Sequence, residues 1–312
     1  MKWFLAENFK MDCPSIEFGE KALFLGSCFA QNMLERGKMV GMDFQSTDFG
    51  TLFHPLPIAR ILSESITEIN EFRIVQNNGT FSSFDSSTKL NAATEEEMKV
   101  KLTSEKAKLK TNLSEAKYLF ITFGSAMAYK LMDEEYVVSN CHKLPASQFR
   151  KDLSELDELN AIYQKLIHQI KTINSTIQIV FTVSPVRHSK EGLVENNRSK
   201  ARLLLLCEEL EKLDNVHYFP AYEMVIDQLR DHRFFAEDLV HPNEQAIDFV
   251  WTKFQDLFFK EATVKLAKEV KNKRMFFQHK TIQPTNHRNI QLRVEKEAEL
   301  KLFLKENPQI IW

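Results

Sequence analysis

The chain has 312 residues, 43% of them hydrophobic and 27% charged, with 41 Lys and Arg against 43 Asp and Glu for a formal net charge of −2. That length buries a substantial core in one large domain, or in one domain with an appendage. The charge balance leaves no basic footprint for nucleic acid, and no segment reaches the roughly 18 uninterrupted apolar residues of a membrane helix.

In chain order, Met1-Lys2-Trp3-Phe4-Leu5-Ala6 meets Glu7 where the apolar region of a secretory signal would continue, so a cytoplasmic protein is expected. The four cysteines, Cys13, Cys28, Cys141 and Cys207, lie far apart and are expected to be reduced. Ala22-Leu23-Phe24-Leu25 is an apolar run stopped by Gly26-Ser27-Cys28, and Asn32-Met33-Leu34-Glu35-Arg36 follows with helical character. This pattern predicts a strand-to-helix turn of a parallel α/β sheet. Such a turn lifts the Ser27 hydroxyl clear of the sheet, beside N–H groups of a helix N-terminus that stabilise an oxyanion. A serine nucleophile also needs a base and a group that orients the base. Asp238-Leu239-Val240-His241 supplies both on one short loop, with Pro242 read as the first helical residue and Glu244-Gln245-Ala246-Ile247 behind it. Cys28 is the competing nucleophile, a thiol activated by the same helix N-terminus. No His or Cys spacing supports a metal site.

Residues 60–115 read as an insertion, with Asn77-Asn78-Gly79-Thr80 turning between Arg73-Ile74-Val75 and Thr80-Phe81-Ser82-Ser83-Phe84. A hairpin and helix overhanging a pocket are expected there; Phe72, Phe81 and Phe84 read as ordinary core before they read as an acyl-binding wall. The lysine-rich stretch Lys99 to Lys110 is a solvated helix face. Strand-like runs at about 21–26, 118–123, 177–183 and 216–219 alternate with helical patterns. One helix face carries Leu153, Leu156, Leu159, Ile162, Tyr163, Leu166 and Ile170, and another carries Leu203, Leu206, Leu210 and Leu213. The alternation predicts an α/β three-layer sandwich with a mostly parallel central sheet covered on both faces. Arg187-His188 follows the third run, where open α/β sheets place ligand contacts. Arg187 there either clamps a carboxylate or phosphate or pairs with Glu191 or Glu195. His54 before Pro55 closes a turn or acts in the site, and His142 has the same two readings. Beyond residue 260 a lysine-rich helix, Gln283-Pro284-Thr285-Asn286 and a charged helix from Asn289 to Lys305 read as a helical extension. The expected organisation is a catalytic domain over 1–260 and the extension over 261–312.

Gly26-Ser27-Cys28-Phe29-Ala30 resembles the signature of the GSCFA-domain family, a branch of the SGNH (GDSL-like) hydrolase superfamily. Further blocks resemble that family in the same order over roughly residues 20–260. They are Phe49-Gly50-Thr51-Leu52-Phe53-His54-Pro55-Leu56, Phe123-Gly124-Ser125-Ala126, Asn140-Cys141-His142-Lys143, Val183-Ser184-Pro185-Val186-Arg187-His188, Tyr218-Phe219-Pro220-Ala221-Tyr222-Glu223 and Ala236-Glu237-Asp238-Leu239-Val240-His241-Pro242. The resemblance implies Ser27 as nucleophile, His241 as base, Asp238 as its orienter, and the N–H groups of Ser27 and Gly50 around the oxyanion. Where the superfamily's third block carries an Asn after its strand, this chain has Gly124-Ser125-Ala126. Asn140 or His142 is the candidate to replace that donor. The expected activity is serine-dependent hydrolysis of an acyl or acetyl ester on a small-molecule, carbohydrate or lipid substrate, with no cofactor or metal and no stable membrane insertion. An O-acyltransferase acting on a sugar or lipid hydroxyl, and a binding domain with weak catalysis, are the alternatives.

Overall fold

The computed structural model describes residues 7–279 and 286–312. In chain order the first half contains β1 (Ala22–Gly26), α1 (Cys28–Met39), β2 (Phe44–Gln45), α2 (Pro55–Thr67), β3 (Ile74–Asn77), β4 (Thr80–Ser83), β5 (Asn91–Ala92), α3 (Glu95–Glu115) and β6 (Tyr118–Phe123). The second half adds β7 (Met127–Leu131), β8 (Phe149–Leu153), α4 (Leu156–Ile173), β9 (Gln178–Val183), α5 (Leu193–Leu210), β10 (Val216–Tyr218), the short α6 (Ala221–Glu223) and α7 (Glu244–Phe258). The chain closes with α8 (Glu261–Gln278) and α9 (His287–Glu306).

Among the described residues the central sheet has five strands in the order β10-β9-β6-β1-β2, and every neighbouring pair is parallel. β1, β6 and β9 are buried at every position, as sheets covered on both faces require. The period of two divides β1 between two cores. Leu23 and Leu25 pack under the α2 to α5 layer, and Ala22 and Phe24 pack under α1 and α7. This is the expected three-layer α/β sandwich. From β1 the chain steps one way to β2 and the other way to β6, so the sheet reverses its winding between β1 and β6. A crevice opens at the carboxyl ends of strands at such a point.

The insertion forms the expected hairpin and helix. Asn78 and Gly79 both take positive φ, 50° and 74°, the conformation a two-residue hairpin turn demands. β3, β4 and β5 make one small antiparallel sheet, and β7 pairs with β8 in another. The two meet around Phe84, Val138 and Phe149, with Arg60 bonded to Asp85 and the Val137 carbonyl. Phe72 and Phe81 pack on the main core, in keeping with their reading as core. α2 begins at Pro55 and, with α3, covers the main sheet, so the segment read as an insertion supplies part of one layer.

The tail folds back on the domain. Ala267 of α8 joins the core under α1 and α7, while Val270, Phe303 and Ile310 form a smaller cluster. The Ile311 N–H donates to the Gly41 carbonyl at 2.9 Å. Gln283, Pro284 and Thr285 of the expected turn lie outside the described residues. Among the described residues no helix is long and apolar enough to cross a membrane.

Candidate active site

The turn after β1 is fixed by backbone geometry before any side chain acts. Gly26 has φ of 119°, and a Cβ there would lie 2.1 Å from the Thr122 carbonyl oxygen, so only glycine lets β1 approach β6 this closely. The Ser27 N–H donates to that same Thr122 oxygen at 3.0 Å. Ser27 is the N-cap of α1; its hydroxyl accepts the Phe29 N–H at 3.3 Å, and the residue is only 2% exposed. Cys28 is then the first helical residue and is half-buried.

The turn has two sides. Towards β2, Ser27 opens on a cavity of about 320 Å³ lined also by Gln31, Thr47, Asp48, Gly50, Thr51, Lys89 and Leu90. Gly50 has φ of 78°, and a Cβ on it would meet the Ser87 hydroxyl at 2.0 Å. Its N–H donates to the Thr47 carbonyl at 3.3 Å. The structure therefore brings Ser27 and Gly50 to one cavity, but the backbone N–H expected from each as an oxyanion donor is already engaged.

The other side faces the carboxyl ends of β6 and β9. Lys200 of α5 is 1% exposed, and its ammonium donates to the Gly124 carbonyl at 2.6 Å and the Ser184 carbonyl at 2.7 Å. Among the described residues no carboxylate pairs with it. Burial pushes the Lys200 ammonium down to about 7; the charge on Cys28 opposes this and Arg187 reinforces it. Burial raises the Cys28 thiol, against the N–H groups of Cys28 and Phe29 and the Lys200 charge, which all lower it. Neighbouring residues of α5 hold the same edge: Ser199 accepts the Ala126 N–H at 2.7 Å and Asn196 accepts the His188 N–H at 2.9 Å.

The His188 ring meets Phe53 edge-on at 5.4 Å, and its Nε2 is buried with no partner among the described residues. Burial pushes His188 down to about 4, with Lys200, His241 and Lys190 adding and Glu191 opposing, so the ring is neutral. Arg187 lies over the Phe235 ring at 5.2 Å and has no carboxylate partner among the described residues; Glu191 bonds Tyr129 and Lys151, and Glu195 pairs with Arg198.

Phe235 belongs to the loop that carries Asp238 and His241. It bridges Pro242, and the Ala236 N–H donates to the His241 carbonyl at 2.7 Å. Asp238 accepts the N–H groups of Val240 and His241 on Oδ1, each at 2.9 Å, and contacts His241 Nδ1 through Oδ2 at 2.6 Å. Those contacts, the His241 N–H first, hold the Asp238 carboxyl down to about 2. The two side chains are about half exposed, 50% and 52%, so the pair lies at the protein surface. Helix α7 starts two residues later than expected, at Glu244: Asn243 is its N-cap, accepting the Ala246 N–H, and Pro242 precedes the cap. Arg36 of α1 pairs with Glu244 and Asp248 of α7, tying the helix after the turn to the helix after the loop.

A profile of the GSCFA family matches residues 21–254, from the start of β1 into α7. The chain belongs to the GSCFA family. No curated protein matches it. Among solved structures it resembles a carbohydrate esterase family 3 protein from Talaromyces cellulolyticus, at 9% identity and a TM-score of 0.37, covering 80% of this chain and 99% of that one. A Clostridium thermocellum family 3 carbohydrate esterase aligns at 9% identity and a TM-score of 0.36, over 81% and 99% of the two chains.

The third-block substitutes lie elsewhere. Asn140 Oδ1 accepts the His142 N–H at 2.7 Å, and His142 Nε2 bonds the Ser83 carbonyl at 2.7 Å. The His142 carbonyl accepts from Asn77, so this turn is stapled to the β3–β4 hairpin, and neither residue lines the cavity at Ser27. Asn140 and His142 thus stand apart from the cavity at Ser27, with Asn140 Oδ1 and His142 Nε2 held in local bonds. His54 is a cap. Its Nδ1 accepts the Leu56 N–H, its Nε2 reaches Ala126 O and Ser154 Oγ, and burial pushes it down to about 3.

Lys200 was not read from the sequence as part of a site, although a signal was there. It lies three residues before Leu203 and seven before Cys207, on the stripe that Leu206 and Leu210 continue. A lysine on an apolar stripe is a buried cation unless it bends away.

Proposed function

We propose that the chain is an acyl-ester hydrolase that forms a covalent acyl intermediate on the Gly26–Cys28 turn, with His241 as general base and Asp238 as its orienter. The observation that carries this reading is the Asp238–His241 pair: Oδ2 lies 2.6 Å from Nδ1, in place to accept its N–H, while two backbone N–H groups pin Oδ1. With an N–H on Nδ1, the ring's other nitrogen, Nε2, is the acceptor for the proton of a nucleophile on the turn. The winding reversal between β1 and β6 supports a substrate crevice over the same turn.

The turn offers two nucleophiles on one peptide. Ser27 is the one the family resemblance implies, and Cys28, the first residue of α1, is its competitor. Either acylates by the same step. His241 takes the proton as the nucleophile attacks the acyl carbon, the N-terminus of α1 stabilises the oxyanion, and the proton returns to the departing alcohol. Water then attacks the acyl group with His241 again as base. The substrate is an ester of a small molecule, sugar or lipid.

Hydrolysis of p-nitrophenyl acetate by the wild type, His241→Ala and Asp238→Asn tests the reading. Turnover in the wild type that falls about 10²–10⁴-fold in His241→Ala is the expected result. Equal rates in all three proteins would remove the dyad from the chemistry. Acylation without turnover in water would favour transfer to a hydroxyl acceptor.

A further inference from the structure

The segment after β9 is held in a fixed shape. The Ser184 N–H donates to the Phe123 carbonyl at 2.8 Å, the Val186 N–H to the Ser184 hydroxyl at 3.3 Å and the His188 N–H to Asn196 Oδ1 at 2.9 Å. Arg187, between the last two of these anchors, is half-buried and lies over the Phe235 ring at 5.2 Å. Phe235 packs into the core under α1 and α7, so the ring is a fixed platform for the guanidinium. Both carboxylates that the sequence offered as partners are taken, Glu191 by Tyr129 and Lys151 and Glu195 by Arg198. None of the five guanidinium N–H donors has an acceptor among the described residues. The group that fits a planar, permanently charged fork stacked on an aromatic ring is a carboxylate or a phosphate, which accepts two parallel N–H bonds.

The position of Arg187 relative to the proposed base sets which part of a substrate it meets. Phe235 bridges Pro242 in antiparallel fashion, and the Ala236 N–H donates to the His241 carbonyl at 2.7 Å, so the platform under Arg187 and the base are neighbours on one loop. In the acyl-ester reading His241 gives its proton to the departing alcohol oxygen, which therefore lies within hydrogen-bond reach of the imidazole. The alcohol portion of the ester is then the portion on the side of Arg187.

We propose, resting on the acyl-ester reading above, that Arg187 is a specificity residue that binds a carboxylate or phosphate on the alcohol portion, so that the substrates are acyl esters of anionic alcohols. Arg187 touches no reacting atom; it holds the alcohol against His241. Stacking on Phe235 restricts the side chain before substrate arrives, which lowers the ordering cost of the ion pair. A neutral sugar or lipid alcohol leaves the guanidinium without its partner.

Steady-state hydrolysis of para-acetoxybenzoate and para-acetoxybenzamide, a charged and a neutral acetyl ester of nearly equal shape, is compared in the wild type and Arg187→Gln. The variant should lower the benzoate-to-benzamide ratio of kcat/KM by about 10–100-fold, the worth of a charge-assisted pair. Most of that loss should lie in KM, because the anion is held before and during the reaction. Arg187→Lys, which keeps the charge without the fork, should recover part of the ratio. In a second arm para-acetoxyphenyl phosphate replaces the benzoate, and the larger drop identifies the preferred anion. A merely structural role on Phe235 would slow charged and neutral esters together; an unchanged ratio for both anions would overturn the inference and leave the acyl-ester reading standing. Turnover of no ester by folded wild type would overturn both. Should Arg187→Gln not fold, competition in the wild type decides. There para-hydroxybenzoate should inhibit hydrolysis of the neutral ester at about tenfold lower concentration than para-hydroxybenzamide, and equal inhibition would refute the proposal.

Discussion

Replacing Lys200 by Met has a pH signature that follows from where the side chain sits. Its ammonium is held down from 10.5 to about 7 in the folded protein, chiefly by burial. The folded state therefore sheds this proton near neutrality, while the unfolded chain keeps it to beyond pH 10. Between those values the unfolded chain binds one more proton, so stability rises with pH by about 1.4 kcal/mol per unit. Below pH 7 both states are charged, the burial penalty is fully present, and the slope vanishes. Lys200→Met lacks the titration and also leaves the Gly124 and Ser184 carbonyls without their donor, a pH-independent loss of about 1–3 kcal/mol for each. The stability advantage of the wild type over the variant should then grow by about 2 kcal/mol from pH 6.5 to 8.5. Urea unfolding of both proteins under reducing conditions across that window measures it. Cys13, which burial pushes up to about 12, and the raised Cys28 and Cys207 give slopes of the opposite sign, setting in near the ordinary thiol range. The window stops short of that range, and taking the difference between proteins removes contributions common to both. A difference that stays flat from pH 6.5 to 8.5 would show that Lys200 does not titrate near neutrality and would refute the reasoning.

Other outcomes follow from single contacts. Gly26→Ala must push a Cβ to 2.1 Å from the Thr122 oxygen at φ of 119°, so it should cost more than about 3 kcal/mol and yield little folded protein on expression. Gly50→Ala meets the Ser87 hydroxyl at 2.0 Å; a side chain can move where a backbone cannot, so a loss of about 1–3 kcal/mol is expected in thermal melts. Gly79→Ala, at φ of 74° with open space around it, should cost only about 1 kcal/mol and leave ester turnover unchanged. Asn243→Ala removes the cap of α7 and should cost about 1 kcal/mol in stability, read by urea unfolding.

The sheet was legible because its signal is local. β1, β6 and β9 are continuous apolar runs bounded by breakers, and the Asn78-Gly79 hairpin announces its own turn chemistry. The pairing of Asp238 with His241 was legible for the same reason, since both lie on one loop. β7 and β8 were not, because Lys130, Arg150 and Asp152 interrupt the apolar pattern of a strand, and only pairing gives each charge a partner. The placements of Asn140 and His142 depend on the hairpin some 60 residues earlier, which spacing alone does not encode. Lys200 went unread because composition treats lysine as a surface residue. Only the fold reveals that α5 turns this one towards the ends of β6 and β9. Strand-to-helix patterning located the turn, but choosing between adjacent Ser27 and Cys28 requires knowing which side chain caps the helix.

The central claim is that an acyl group is carried covalently on the Gly26–Cys28 turn with His241 as the base. Intact-mass analysis of wild type and His241→Ala, quenched in acid within the first turnovers on p-nitrophenyl acetate, tests it most directly. The account predicts the mass of one acetyl group on the wild type, mapped to the turn, and none on His241→Ala. Acetylation at equal rates in both proteins, or at a residue away from the turn, would contradict it.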